Sequence, residues 1–551
     1  MHPDDKPWWK RATGYQIYPR SFNDSNGDGI GDLPGIIEKL DHLQALGIGF
    51  VWLSPVYASP MADNGYDIAD YDAIAPEFGT MDDMQRLVDE AKVRGIRIVM
   101  DLVVNHTSSE HAWFQAACAS RDAHEHEYYY WRDAAPDGGP PSDRRAVFGG
   151  SAWHWVEAVG RYYFAYFSSG QPDLNWQNRQ VRRNVFAMMN RWLDRGIGGF
   201  RMDVIDLIGK DLDNGVLEQG PDLHPYLQEM HREALAGRDI LTVGESWSVT
   251  PDTALQYCGR ERYELDMVFN FNHVVAGWDP EFGRFKPKPL DLPLFKRILG
   301  EWQTALAEDG WNSLFLSNHD LPRAVSRYGD PDRHRVASAK MLATVIHLMK
   351  GTPYIYQGEE IGMTNANFTR LEQFRDVETF GQLEDQRAAG VSEADFIAGA
   401  NRTGRDNART PMQWSDEPSA GFTRGTPWID VNDNAVHLNV EADRADPDGV
   451  FGHYRRLIAL RRQLPIITEG GYRSFDDANP CVFGYVRTLG DQRLVVVGNF
   501  TGERASIGVP AEGWGEGRCV IRNGPERTTI DSPLSLAPYE SFAVLITGVD
   551  G

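Results

Sequence analysis

Acidic, imidazole and guanidinium side chains recur in this sequence at the ends of short apolar runs. Asp101, Asn105 and His106 close one run, Arg201 and Asp203 a second, and Glu245 a third; Asn318, His319 and Asp320 follow a fourth. If those runs are neighbouring strands, three carboxyl groups (Asp203, Glu245 and Asp320) meet beside two imidazoles and one guanidinium. The chemistry that needs such a set is cleavage of a glycosidic bond. One carboxylate attacks the anomeric carbon while a protonated partner donates to the leaving oxygen, which requires their pKa values to be pushed apart. Arg201, two residues from Asp203 on the same strand face, is expected to hold Asp203 ionised. The ring of Trp247 is expected to help keep Glu245 protonated, and His106 and His319 can donate to sugar hydroxyls. A single strand-end acid could equally cap a helix or pair with an arginine. Three in one register make that alternative poor.

The elements that must position these residues repeat along the chain. Strand candidates are Tyr15–Pro19, Phe50–Ser54, Arg97–Leu102, Gly199–Asp203, Ile240–Glu245, Met267–Phe271, Ser313–Ser317 and Pro353–Gln357. Between most of them lie stretches with apolar residues at helical spacing, such as Met81–Arg94 and Gln180–Arg195. Eight such units predict an α/β fold, a (β/α)8 TIM barrel, with catalytic groups at the strand ends. The gap between the third and fourth strands is too long for an ordinary loop. It predicts a small inserted domain over residues 105–173, so that the barrel comprises 1–104 and 174–470. A helical, polar insertion, Phe368–Asn407, follows the last strand. Residues 471–551 alternate in short runs broken by Gly, Pro and Asp, and predict a C-terminal antiparallel β-sandwich domain.

Composition narrows the partners. The 551 residues include 55 Lys and Arg against 79 Asp and Glu, a formal charge of −24 that disfavours nucleic acid and anionic lipid. No apolar run follows the charges of MHPDDKPWWKRATGYQIYP, so no signal peptide is expected, and no stretch is long enough to span a bilayer. A cytoplasmic monomer is the expectation. Four widely spaced cysteines suit a reducing compartment or core thiols, although Cys481 and Cys519 could pair. His124 and His126 read as a solvent-facing polar stretch rather than a metal site.

The same strand ends carry a resemblance. DLVVNH (101–106), GFRMD (199–203), GES (244–246) and SNHD (317–320) match, in order and spacing, four signature segments of the α-amylase superfamily (glycoside hydrolase family 13), and QPDLNW (171–176) resembles a fifth. GYQIYPRSF, NGYDIADY, GTPYIYQGEEIGMTN and GRDNARTPMQW are similar to segments of its oligo-1,6-glucosidase and α-glucosidase branch. The resemblance implies Asp203 as nucleophile, Glu245 as acid/base, and Asp320 as the carboxylate that binds the 2- and 3-hydroxyls. It implies that Asp63, Tyr66, His106, Arg201, His319 and Arg405 grip a terminal glucose, with Phe148, Phe167 and Gln171 as further lining. A retaining enzyme that removes glucose from the non-reducing end of short α-glucosides would follow, with no cofactor for catalysis.

Val204 and Trp247 resemble the residues of that branch's α-1,6 enzymes, so isomaltose and isomalto-oligosaccharides are the expected substrates. Lys286 or Lys288 could add a contact beyond the scissile bond. Sucrose isomerases and enzymes acting on sucrose, isomaltulose or trehalulose share the barrel, but the paired-Arg pattern of the isomerases is missing from NHVVAGWDPEFGRF. Transporter-ancillary relatives lack parts of the triad and carry a membrane anchor, neither of which applies. A separate loop, DSNGDGIGD, alternates Asp24, Asn26 and Asp28 like the first ligands of a calcium loop, with Gly29 at the turn, then the Ile30 carbonyl and Asp32. Its twelfth position is Gly35, so it is no full EF-hand. The resemblance implies structural Ca2+, or sometimes Mg2+, in that loop.

Overall fold

Eight parallel strands form one sheet in the computed structural model, which describes residues 7–280, 283–510 and 516–548. They are β1 (Gly14–Ile17), β2 (Phe50–Leu53), β3 (Arg97–Leu102), β4 (Gly199–Met202), β5 (Leu241–Ser246), β6 (Met267–Asn270), β7 (Ser313–Leu314) and β8 (Thr352–Tyr356). Each strand pairs with its neighbours in sequence, and β8 pairs with β1. A parallel bridge between Val268 and Asn312 joins β6 to β7 and closes the cylinder. Bulky side chains fill its interior, among them Phe50, Trp52, Val99, Val243, Phe269 and Tyr354, so the barrel is a packed core with a usable mouth at one end.

The helices follow from their apolar spacing and caps. Met81–Val93 starts at a capping box between Thr80 and Asp83 and buries Met84, Leu87, Val88 and Ala91. Arg179–Asp194 is capped by Asn178 and buries Val185, Met189 and Trp192 among others. Arg335–His347 differs: from Ser338 to His347 every residue is buried. Its outer side is covered by the C-terminal domain, where Tyr485 donates to the Val345 carbonyl and Gly498 lies against Met341 and Val345.

Between β3 and β4 the chain builds a three-stranded antiparallel sheet from Trp131–Arg132, Trp153–Val156 and Arg161–Phe164. Both ends of this insertion are tied down by one buried ammonium: Lys210 contacts Asn105 Oδ1 at 2.6 Å and Asp173 at 2.9 Å. His126 is buried here, contrary to the solvent-facing expectation. Its ring stacks on Trp131 with centroids 4.6 Å apart, and Nδ1 bonds the Ala117 carbonyl. The C-terminal domain has a five-stranded antiparallel sheet, with the pair Ala505–Ile507 and Leu534–Leu536 packed against it. All four cysteines are free thiols, so Cys481 and Cys519 are not paired.

The insertion after β8 contains the helices Val377–Ala388 and Glu393–Thr403. The first lies directly on the inserted domain. A Cβ at Gly381 would sit 1.7 Å from the Phe148 carbonyl oxygen, Gln382 donates to the Val147 carbonyl, and Arg145 pairs with Asp385 at 2.7 Å. Two insertions from distant parts of the chain thus meet above the mouth.

Gly199 sets the approach of β4 to β5. Its φ is +134°, and a Cβ would lie 1.9 Å from the Leu241 carbonyl oxygen. Gly199→Ala is expected to destabilise the fold by at least about 3 kcal/mol, read as a clear fall in the thermal midpoint. An unchanged midpoint would contradict this strand spacing.

Candidate active site

Parallel register brings the first group together. Asp101 on β3 pairs with Arg201 on β4, and Arg201 with Val243 on β5, so Arg201 stands between the strand that carries Asp101 and the one that carries Glu245. Its guanidinium contacts Asp101 at 2.7 Å and Asp203 Oδ1 at 3.0 Å, and also bonds Glu245 Oε2. Asp101 further accepts from Trp52 Nε1 and the Tyr66 hydroxyl. Val204, next to Asp203, has φ +34° and ψ +46°, a conformation that β-branched residues avoid. That turn aims its N–H at Glu245 Oε2, 3.3 Å away. Trp247 meets Glu245 through its indole N–H at 2.9 Å rather than with a ring face, and stacks instead on Phe271.

A second group forms around Arg405. It contacts Asp63 at 3.0 Å, Asp320 at 3.2 Å and Asp376 at 2.5 Å, and Arg409 contacts Asp320 at 3.0 Å. His319 Nε2 lies 3.2 Å from Asp320, while its Nδ1 faces the Gln16 amide at 2.8 Å. An amide N–H donated to Nδ1 leaves the ring proton on Nε2, towards the carboxylate. The Tyr66 ring stacks on His319 at 5.0 Å. His106 Nε2 bonds the Tyr66 carbonyl, and Gln171 donates to Asp63. Phe167 packs on His106, and Phe148 on Phe167 and under the Arg405 guanidinium.

These groups line a cavity of about 380 Å3. Asp63, Tyr66, His106, Phe148, Phe167, Gln171, Asp203, Val204, Glu245, Trp247, Asp320 and Arg405 face it, whereas Arg201 and His319 stand behind the wall. Lys286 and Lys288 do not reach it. Sequence reasoning missed Trp278, Arg284, Glu378 and Gln382 on its outer rim, and Asp376 and Arg409 behind it. Arg284 pairs with Glu378 at 2.9 Å and donates to the Asp320 carbonyl. Arg409 was within reach of sequence reading, lying four residues from Arg405 in GRDNARTPMQW; for Asp376 no local signal existed.

Burial, with Glu245 and Asp101 adding to it, pushes the Asp203 carboxyl well above its usual range against the pull of Arg201. Arg201, expected to hold Asp203 ionised, does lower it, but burial outweighs that pull. Asp203 and Glu245 are within hydrogen-bonding reach of each other. Asp320 behaves oppositely. Burial acts to raise it, but His319 and the Arg405, Arg409 and Arg284 guanidiniums outweigh that and hold it well below the carboxylate range. His319 is itself pushed down to about 3 by burial, so near neutral pH the three guanidiniums do this work. Burial also lowers His106 to about 4 and lifts Asp63 to about 6 despite Arg405.

The loop of Asp24, Asn26, Asp28, Ile30 and Asp32 lies apart from this cavity. Asp24 accepts from the N–H groups of Asn26, Gly27 and Gly29 and from Thr423, and Asp32 caps a helix through Gly35. Asp28 is exposed and accepts from Ile30 N–H. Among the described residues no three His, Cys, Asp or Glu side chains are grouped to hold a metal. The donor set of three carboxylates, one amide and one carbonyl is nonetheless all oxygen, the kind that hard cations take.

Three carboxyl groups at the mouth of an eightfold barrel, one pushed up by burial and one held down by guanidiniums, make a glycoside hydrolase site. Residues 16–470 match the alpha-amylase catalytic domain and residues 482–542 the alpha-amylase SusG C-terminal domain. The chain belongs to the alpha-amylase family and has the α-glucosidase type of site. It is 54% identical to a palatinase of Erwinia rhapontici (98% of this chain, 99% of the relative) and 49% identical to a glucan 1,6-alpha-glucosidase of Streptococcus pneumoniae with the same coverage. The crystal structure of isomaltulose synthase from Protaminobacter rubrum superposes with a TM-score of 0.95 at 41% identity, covering 98% of this chain and all of that one. No described helix is long and apolar enough to cross a membrane.

Asp376→Asn removes the fully buried one of the counter-charges of Arg405. It is expected to lower kcat/KM by roughly 100-fold, mainly through KM, because breaking a buried ion pair costs several kcal/mol. Wild-type kinetics would contradict the role of Asp376 as an anchor. Since His106 and His319 are neutral near pH 7, His319→Asn should weaken binding without displacing the pH profile of kcat. A displaced profile would mean that His319 titrates in the working range.

Proposed function

We propose that this enzyme removes one glucose at a time from the non-reducing end of short α-glucosides by a retaining double displacement, with a preference for α-1,6 bonds. One observation carries the reading: Arg405 ties Asp63 and Asp320 together in the lining of a cavity of about 380 Å3, a charged cluster suited to gripping the hydroxyls of one terminal ring. Asp203 attacks the anomeric carbon, while Glu245, in its acid form, gives its proton to the leaving oxygen. Glu245 then takes a proton from water, which displaces glucose from Asp203. Asp320, held down by the guanidiniums that face it, accepts two ring hydroxyls and tightens on them as charge develops at the anomeric carbon.

The linkage preference is supported by Val204 and Trp247 beside the scissile position and by similarity to a glucan 1,6-alpha-glucosidase. Similarity to a palatinase favours isomaltulose, which also carries an α-1,6 glucosyl bond, as a second substrate. Isomerisation is the weaker reading, since Arg284 at the rim is already engaged by Glu378 and by the Asp320 and Thr403 carbonyls. Incubation with isomaltose, isomaltulose, sucrose, trehalulose and maltose tests this directly. Free glucose is expected fastest from the two α-1,6 substrates; isomers formed from sucrose in place of glucose would sink the hydrolase reading. Asp203→Asn is expected to lose activity by roughly 10,000-fold or more, at least about 5 kcal/mol, with an unchanged thermal midpoint. Wild-type turnover would show that another group is the nucleophile.

The loop with Asp24, Asn26, Asp28, the Ile30 carbonyl and Asp32 is proposed to hold a structural Ca2+, with Mg2+ as the smaller alternative. A chelator should lower the thermal midpoint and added Ca2+ restore it, with activity at low temperature unaffected. A midpoint indifferent to both would remove the metal from this loop.

A further inference from the structure

Directly after Asp203 the chain turns at Val204 into one 3-10 turn, Ile205–Leu207. The turn lies against the strand that carries Glu245, since a Cβ on Gly244 would stand 2.8 Å from Ile205 Cγ2. Asp206, at its centre, is buried and lines the active cavity. Its Oδ2 accepts the hydroxyls of the two serines just beyond Glu245, Ser246 at 2.7 Å and Ser248 at 2.6 Å. Ser246 Oγ accepts in turn from the Val249 N–H, which closes the bend 246–249. Gln219, from the same connection as Asp206, grips that bend as well. Its N–H bonds the Asp206 carbonyl at 2.9 Å, and its side-chain amide donates to the Ser248 carbonyl at 2.7 Å.

Trp247 sits between the two serines. Its ring stacks on Phe271, and its indole N–H donates to Glu245 Oε1 at 2.9 Å. One line of contacts thus runs from the turn that follows Asp203, through a carboxylate and two hydroxyls, to the group that holds Glu245. Both hydroxyls donate to Asp206, so the line draws on its charged form. Burial lifts this carboxyl to about 6 although both serines favour the carboxylate, and near pH 7 the charged form prevails. Proton transfer to a leaving oxygen needs the donor within hydrogen-bond reach, and a misplacement of about 1 Å costs roughly 100-fold.

We propose that Asp206 is a positioning residue for glycosidic bond cleavage: through Ser246, Ser248 and Trp247 it sets the angle at which Glu245 meets the leaving oxygen. The inference rests on Glu245 being the acid/base. A tie that merely held two loops together would, when cut, slow all substrates alike. A tie that aims the proton donor slows each substrate by its need for that proton. A sugar alkoxide needs it most, phenolate less and p-nitrophenolate least.

Measuring kcat/KM of Asp206→Ala with p-nitrophenyl α-glucoside, phenyl α-glucoside and isomaltose tests the assignment. The expected loss rises across the three, from less than about tenfold to roughly 100-fold. The two aryl substrates differ in leaving-group basicity but hardly in shape. A loss confined to isomaltose would therefore make Asp206 a contact for the second sugar and overturn the proposal. Equal losses for all three, or none, would overturn it too. Asp206→Asn, whose amide oxygen still accepts both hydroxyls, should regain most of the lost rate. Ser248→Ala should show the same gradient at smaller size, and it decides should Asp206→Ala fail to fold. Glu245→Gln, measured in parallel, must show the gradient at its steepest. If it shows none, the acid/base assignment fails and this inference with it; if it alone shows the gradient, only the role of Asp206 falls.

Discussion

Carboxyl groups gather at a barrel mouth only if cations are buried with them, and two guanidiniums meet that constraint here. Arg201 holds Asp101, Asp203 and Glu245 within one hydrogen-bonded set. Arg405, helped by Arg409, holds Asp63, Asp320 and Asp376. Each removes from water a group of charges that would otherwise repel and force the mouth open. The planar fork of arginine suits this better than lysine, because one residue can meet several carboxylates in fixed directions.

The two sets are tuned to different ends by their charge ratio. Around Arg201 the acids outnumber the cation, and burial pushes the Asp203 carboxyl up. Around Asp320 three guanidiniums converge, and that carboxylate stays ionised although it is buried. Proton donor and permanent anion thus arise from the same side-chain type, set apart by how many positive charges face each. The strained backbone at Val204 belongs to the first set: it turns an N–H towards Glu245 that a relaxed strand end would direct elsewhere.

Much of this was legible in the sequence because it is local. Strand-forming runs ended in acids, and eight such runs in a barrel leave a single face on which those acids can meet. What escaped reading depends on contacts across the chain. Asp376 sits in a polar helical insertion whose place over the mouth is decided by packing at Gly381 and Phe148, and nothing near it in sequence announces that. His126 looked solvent-facing because its neighbours are charged, yet Trp131 covers its ring. The helix Arg335–His347 is buried on both sides, so its apolar residues lose the one-sided spacing by which surface helices are recognised. Trp247 was read as an apolar ring, whereas its N–H is what touches Glu245.

The roof above the mouth joins Arg145 to Asp385, positions separated by 240 residues. During synthesis the inserted domain emerges long before Arg405, so for that interval the Phe148 ring lacks the guanidinium that packs on it. The pocket is therefore among the last features of the barrel to come into being. A nascent chain carries its aromatic sugar-facing surface bare, in the form in which a chaperone or a neighbouring chain would meet it.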